Sequence, residues 1–495
     1  MVNSIAFENE LTVFWDYSEN CAEKTLYRVS INNQEYFTDK TYYKIRSLIP
    51  NREYDVEISL VDKNKNSITL IDKTRIRTAE KKEVIDISKP PYNVKGDGKT
   101  IWTKVIQTAF DDCKSNQIVY FPSGIYLTGA LNLHSDMEIF LEKEAILQGT
   151  EKVKDYLPKR KSRFEGIEMM CYSSLLNMGE LDHTSGCNCR NIVIRGEGTI
   201  SGGGNKLREN IIALEFILLK DYIASLGKAI EECEKLDTIP GRVRPRLINI
   251  SNAENVIISG VTIQNGPAWN VHMIYSKNIV TCGCKFFSMG INNGDGWDPD
   301  SSENCTIFDC DFYTGDDAIA IKSGKNPEGN IINRPCKHIR VFDCRIHSGC
   351  GIAIGSEMSG GIEDVKIWDC NIEKSLYGIE IKATSKRGGF VRNIKAYNCL
   401  VPRIMIHKVD YNNDGESSGN IPIFENYHFE NIVIKQNPDI PYSYKLIEFC
   451  GFDNEENSVK NVLLKNIILY ADPLDDVMSF KFTKNINKDN FIFCN

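Results

Sequence analysis

The segment Asn292–Lys325, NNGDGWDPDSSENCTIFDCDFYTGDDAIAIKSGK, places Asp295, Asp298, Asp300, Asp316 and Asp317 among apolar, strand-like residues. Like charges repel, and a carboxylate taken out of water is costly unless it is paired or used. Such a cluster can hold a hard cation, form an acid/base site, or supply turn residues. Asp295 precedes the Asp316/Asp317 pair by 21 residues, close to one coil of a solenoid. Stacked strands lie about 5 Å apart, so three such carboxyls share one face. Crowding then raises the proton affinity of at least one of them. One protonated and one ionised carboxyl can cleave a glycosidic bond, the acid serving the leaving oxygen and the base a water. Asp298 and Asp300 are read as corner residues, and so are Asp309, Asp343 and Asp369, which precede cysteines in repeat after repeat.

Those repeats are the elements that must position the carboxyls. NIVTCGCKF, NCTIFDCDF, HIRVFDCRI, DVKIWDCNI and NIKAYNCLV begin at Asn278, Asn304, His338, Asp364 and Asn393. Each has a polar opener, a strand-like run, and a cysteine six residues on. Cys284, Cys310, Cys344, Cys370 and Cys399 are thus equivalent, separated by 26, 34, 26 and 29 residues. Weaker copies start at Asn191, Asn255 and Asn461. Periods of this length made of short strands predict an all-β parallel β-helix, with the cysteines as small apolar rungs. Metal binding by these thiols is disfavoured, since paired CxxC motifs with partner histidines are missing.

Residues 1–80 differ. ELTVFWDYSEN carries Trp15 in a strand-like run, and Tyr54 follows the LIPN turn. This resembles a fibronectin type III β-sandwich. Residues 81–90 are expected to be a linker, with the β-helix over 91–495. TKVIQTAFDDC puts Ile106, Ala109, Phe110 and Cys113 on one helical face, suited to capping the open end of the solenoid. A helical period around 205–240 predicts an insertion packed against the coils.

With 495 residues, 42% of them apolar, the chain can bury a large core. A net charge of −8 argues against nucleic acid or anionic membrane as partner. No apolar run approaches the roughly 20 residues of a membrane span. No basic leader followed by an apolar run precedes ENELTVFW, and the 17 cysteines read as reduced thiols, so a cytoplasmic protein is expected.

NGDGWD, GDDAIAIKSG, GIAIGSEMSGG and IEIKATSKRGG occur in the order seen in glycoside hydrolase family 28, the polygalacturonase-like hydrolases, which this chain resembles over roughly residues 87 to 470. The resemblance implies a right-handed parallel β-helix and an inverting hydrolase without cofactor or metal. It implies Asp316 as general acid, Asp295 and Asp317 as activators of water, and Lys382 as a substrate contact. Asn293, Glu357 and Arg387 are carried over as further contacts. The expected partner is a pectin-derived or related oligosaccharide, cut in exo fashion, and a homo-oligomer is allowed.

Two positions depart from the family pattern. Gly349-Cys350-Gly351 stands where many relatives have Gly-His-Gly, and a thiol tunes the acid poorly. His347 is a weak substitute for that histidine, and His272, in PAWNVH, is either a cleft-wall residue or a satisfied corner histidine. Glu380-x-Lys382 stands where pectin-cleaving relatives have Arg-x-Lys. A Glu there would repel a uronate unless Arg387 or Arg392 takes over, or it would accept hydrogen bonds from neutral hydroxyls. The alternatives are a calcium-dependent polysaccharide lyase and a carbohydrate-binding β-helix without activity.

Overall fold

The computed structural model describes residues 2–18, 26–227, 235, 237–411, 415–440, 444–472 and 476–494. The chain divides into two units, 1–84 and 85–495. In the first, one antiparallel sheet contains Val2–Ala6, Glu10–Trp15 and Tyr42–Arg46. The other contains Gln34–Thr38, Leu26–Ile31, Glu53–Val61 and Ser67–Arg77. Alternating apolar residues meet between the sheets, with the Trp15 and Tyr27 rings edge to face at 5.2 Å. The Tyr54 hydroxyl accepts the Ile49 N–H at 2.9 Å, tying the turn to the strand.

The second unit is the expected parallel β-helix. Three long parallel sheets of 14, 8 and 11 strands are built by successive coils, the eight-stranded one ending at Arg345–Ser348. Glu83–Asp86, expected in the linker, instead pairs at the end of the longest sheet. The repeat openers Asn191, Asn255, Asn278, Asn304, His338, Asp364, Asn393 and Asn461 all have φ between 51° and 58°. Asn and Asp tolerate this left-handed conformation best among side-chain-bearing residues, which is why they recur there. Their amides also bond from coil to coil: Asn278 donates to Asn255 at 3.1 Å, and Asn255 to Asn191 at 3.0 Å. Asp309, Asp343 and Asp369 are left-handed corners as well, at φ 48–54°. The five ladder cysteines after the corners are buried and free, and the Cys284 N–H points at the Cys310 sulfur, 3.4 Å away.

Helix Thr103–Asp112 buries Ile106, Ala109 and Phe110 against the first coils, with Cys113 buried just beyond it. The insertion forms helices Gly204–Leu218, Lys220–Leu226 and Thr238–Gly241; residues 228–234 and 236 lie outside the described residues. Leu207 and Ile211 pack on Tyr156 and Tyr172. Glu215, buried in the same helix, is held by Lys159 and the Tyr172 hydroxyl, both at 2.7 Å. This pins the insertion to the coils.

Candidate active site

The site is built on the outer face of the eleven-stranded sheet. Trp297, Ile319, Ile352 and Ile379 are aligned on successive strands and point into the core. Period-two alternation then turns their neighbours outward. Asp298 lies beside His272, while Ala320, Ala353 and Glu380 follow in register. Asp300 lies beside Lys322, and Lys382 beside His407. Gly355 sits next to Lys382 with φ 89°, and an added Cβ would fall 2.1 Å from the Lys382 carbonyl oxygen. Gly355 therefore brings bare backbone to the cavity wall.

The carboxyls come from the turns that enter these strands. The Gly296 N–H donates to the Asp317 carbonyl at 3.0 Å, and the Trp297 N–H to that of Ala318 at 3.1 Å. Asp295 and Asp317 are thus set in equivalent places on neighbouring coils. Asp316 is half-buried, and its carboxylate accepts the Cys350 thiol at 3.6 Å. A cavity of about 380 Å³ gathers Asp295, Asp316, Asp317, Asn293, Glu357, Lys382 and Arg387, which are seven of the ten residues singled out from sequence.

Burial and the neighbouring Asp298 push the Asp295 carboxyl well above the ordinary range, although Lys322 lies 3.4 Å away. Asp317 is pushed up to about 7, chiefly by burial; Lys382, at 3.9 Å, opposes this and Asp316 adds to it. The cluster therefore retains protons at neutral pH. Burial also pushes the Cys350 thiol up, so it remains a neutral donor to Asp316. Asp316, Asp317 and Cys350 bring three possible ligand atoms within 4.8 Å of one another. One of these is a protonated thiol, whereas calcium takes 6–8 oxygens, so the set is a poor calcium site.

Three sequence-selected residues take other places. His272 is fully buried and does not line the cavity. Its Nδ1 accepts Arg246 at 3.4 Å and its Nε2 donates to Asp300 at 3.3 Å, under the Trp269 ring 4.8 Å away. Burial draws its pKa down to about 4, so it is neutral support behind the cleft. Glu380, 5% exposed, lies off the cavity between Lys382 Nζ at 2.7 Å and His407 Nε2 at 2.8 Å. Burial would push it up, but His407 and Lys382 outweigh that and hold it at about 2. Its charge is neutralised locally, so it neither repels a uronate nor touches a sugar; it orients Lys382. Cys350 contacts the carboxyl pair and is not part of the cavity wall.

His347 is packing, stacked on Tyr313 at 4.5 Å and bonded to Asp311 at 2.8 Å. Arg392 is committed to Glu363 at 2.7 Å. Arg387 lines the cavity and donates to the Ser356 carbonyl at 2.8 Å and to Asn326 Oδ1 at 2.5 Å.

Asp298 and Asp300 are strand residues, correcting the corner reading, and both are fully buried. Asp300 takes Arg163 at 2.7 Å. Burial would raise its pKa, but Arg163 and His272 outweigh that and hold it at about 2. Both Asp298 oxygens lack a hydrogen-bond partner, and burial pushes this carboxyl well up, so it is held as the neutral acid.

Sequence reading also passed over Lys322, whose ammonium lies 4.5 Å over Trp269 and beside Asp295. Lys is strand-compatible and common, and only the coil register shows that this one faces the carboxyls. Arg244 was passed over as well. It enters from the segment after the insertion and donates to Asn293 Oδ1 at 2.7 Å.

The family model described as "Glycosyl hydrolases family 28" matches residues 114–436. A probable polygalacturonase of Vitis vinifera is 32% identical over 313 residues, 60% of this chain and 57% of that protein. An exo-poly-alpha-D-galacturonosidase of Dickeya chrysanthemi is 28% identical over 341 residues, 65% and 56% of the two chains. The chain thus spans less than two thirds of the length of these relatives. The solved structure of a Yersinia enterocolitica family 28 exopolygalacturonase shares the fold at TM-score 0.83, with 22% identity over 98% of both chains. With the parallel β-helix and the stacked aspartates, the match over residues 114–436 places this chain in glycosyl hydrolases family 28.

Proposed function

We propose that the chain is an inverting, exo-acting hydrolase of galacturonate-containing oligosaccharides. One observation carries the reading: Asp295 and Asp317 occupy equivalent places on adjacent coils, with Asp316 beside them, all facing one cavity. Asp316, the most solvent-accessible of the three, protonates the leaving glycosidic oxygen. Asp295 and Asp317 take the proton of the attacking water. In an inverting site the water enters between acid and base, so the bond breaks as the new one forms on the opposite face. Lys382, fixed by Glu380, and Arg387 supply positive charge toward an acidic sugar. The names of the similar proteins support galacturonate as the sugar. Arg208, Ile212 and Thr238 of the insertion wall one side of the cavity, which supports cutting from a chain end.

A reducing compartment belongs to the same reading, supported by fifteen free cysteines among the described residues. The strand order of residues 2–77 and the Trp15 and Tyr54 core support a fibronectin type III-like leading unit. Incubation with oligogalacturonides tests the function. Single galacturonate residues should appear, without ultraviolet-absorbing unsaturated ends and without need of calcium. Internal fragments would refute exo action, unsaturated ends would refute hydrolysis, and no product from any oligogalacturonide would refute the substrate.

A further inference from the structure

The part of the cavity wall formed by the insertion and the segment after it holds several cations. Of its cations there, Arg208 is paired with Asp237 at 2.5 Å and Arg242 with Glu165 at 2.9 Å. Arg244 has no carboxylate within ion-pair distance among the described residues. Its Nε donates to the Gly241 carbonyl at 2.7 Å. Its Nη1 donates to the carbonyls of Pro267 at 3.2 Å and Asn292 at 3.0 Å, and its Nη2 to Asn293 Oδ1 at 2.7 Å. Every acceptor is neutral, yet the residue is 4% exposed and lines the cavity. Phe164 lies beneath the guanidinium at 5.2 Å and fixes its plane. A buried cation without a counter-ion is costly, and burial already draws Arg244 down to about 10. At the exposed rim beside it, the Lys235 ammonium reaches Asn292 Oδ1 at 3.1 Å.

Glu380 lies off the cavity, neutralised by Lys382 and His407, and offers a uronate nothing. From these facts we infer that Arg244 receives the carboxylate of a uronic-acid residue bound beside Asp295, with Lys235 adding charge at the rim, so that recognition of the acid comes from the insertion side. Arg244 is pre-organised for this by its four neutral acceptors, which fix the guanidinium and leave one Nη2 N–H and an unbalanced charge for a carboxylate oxygen. The inference rests on the uronic-acid substrate proposed above and names the residue that selects it.

The test measures binding of trigalacturonate and of its methyl ester by calorimetry. The protein is the full chain carrying Asp316→Asn, with Arg, Gln or Lys at 244. With Arg244 intact the acid should bind tenfold or more tightly than the ester. Arg244→Gln should lower affinity for the acid by 10- to 100-fold, and for the ester by much less, removing the preference. Arg244→Lys keeps the buried charge and loses the fixed Nη2 N–H, so it should cut the preference several-fold; it decides the matter where the Gln variant does not fold. An unchanged preference in either folded variant, or equal losses for acid and ester, overturns the role of Arg244 and leaves the hydrolase reading standing. Binding of neither ligand with Arg244 intact overturns both.

Discussion

Asp317→Asn should disable the enzyme while making it more stable, and the gain should depend on pH. Asp317 is 7% exposed, and its carboxyl is raised from 3.8 to about 7, chiefly by burial. A tenfold change in proton affinity is worth about 1.4 kcal/mol, so ionising this carboxyl in the fold costs at most about 4 kcal/mol. Asp295 and Asp298 are raised in the same cluster, and removing one charge relieves the others only in part. A net gain of about 2 kcal/mol is expected.

The sign follows from linkage. Below about pH 4 the group is protonated in both folded and unfolded chains, and the substitution changes little. Between about 4 and 7 the unfolded chain ionises while the folded one resists, so the wild type loses stability as pH rises. Above about 7 the penalty is complete and the variant keeps its full advantage. For a unit of this size, about 2 kcal/mol corresponds to roughly 2 °C in Tm. Differential scanning calorimetry at pH 4.5 and pH 8 should show a difference only at the higher pH. Turnover of trigalacturonate should fall by about 10²–10⁴-fold, the usual worth of a positioned acid or base. A variant less stable than wild type at pH 8, or a gain as large at pH 4.5, would refute the idea that Asp317 is held in a protonated, strained cluster.

Three further outcomes are expected. The kcat/KM profile should fall as pH drops below about 7, where Asp317 takes up a proton and can no longer accept the one from water, and a profile flat from about pH 5 to 8 would contradict Asp317 as a base. Lys322→Met leaves Asp295 without its buried partner, which should cost about 3–5 kcal/mol in denaturant unfolding and move the acid limb of kcat/KM upward; an unchanged midpoint would count against the pair. Glu380→Arg restores the residue common in relatives but sets a guanidinium against Lys382 and His407; kcat/KM should drop by about tenfold or more, and a rise would show that Glu380 does not orient Lys382.

The repeat was legible because its corners repeat. A left-handed residue must recur wherever a coil turns, so Asn278, Asn304 and Asn393 announce themselves. The cysteine rungs recur because the interior admits only a small apolar group at that level. Asp295, Asp316 and Asp317 stood out because no other repeat has an acid there. The supporting residues were hidden for the opposite reason. Lys322 and Asp298 acquire their roles from the strand beside them, and the stagger between coils of unequal length is not written in either strand alone. Arg244 reaches the cavity because the insertion folds back, a long-range event without local signature. His272 misled because its outward place in the alternation resembles a cleft residue; Arg246 and Trp269 cover it, which no spacing reveals.

The interval between Asp295 and Asp317 is itself part of the machinery. Twenty-two residues close one circuit between Trp297 and Ile319, bringing two carboxyls to matching places. Adding or deleting one residue in the paired segments of that circuit would slide one acid past the other and turn its strand inside out. Elsewhere the circuits vary freely in length. Diversification in this architecture is therefore confined to the other bends: appended helices and loops can reshape which chain end or sugar enters, while the reacting pair is metered by a circuit of fixed count.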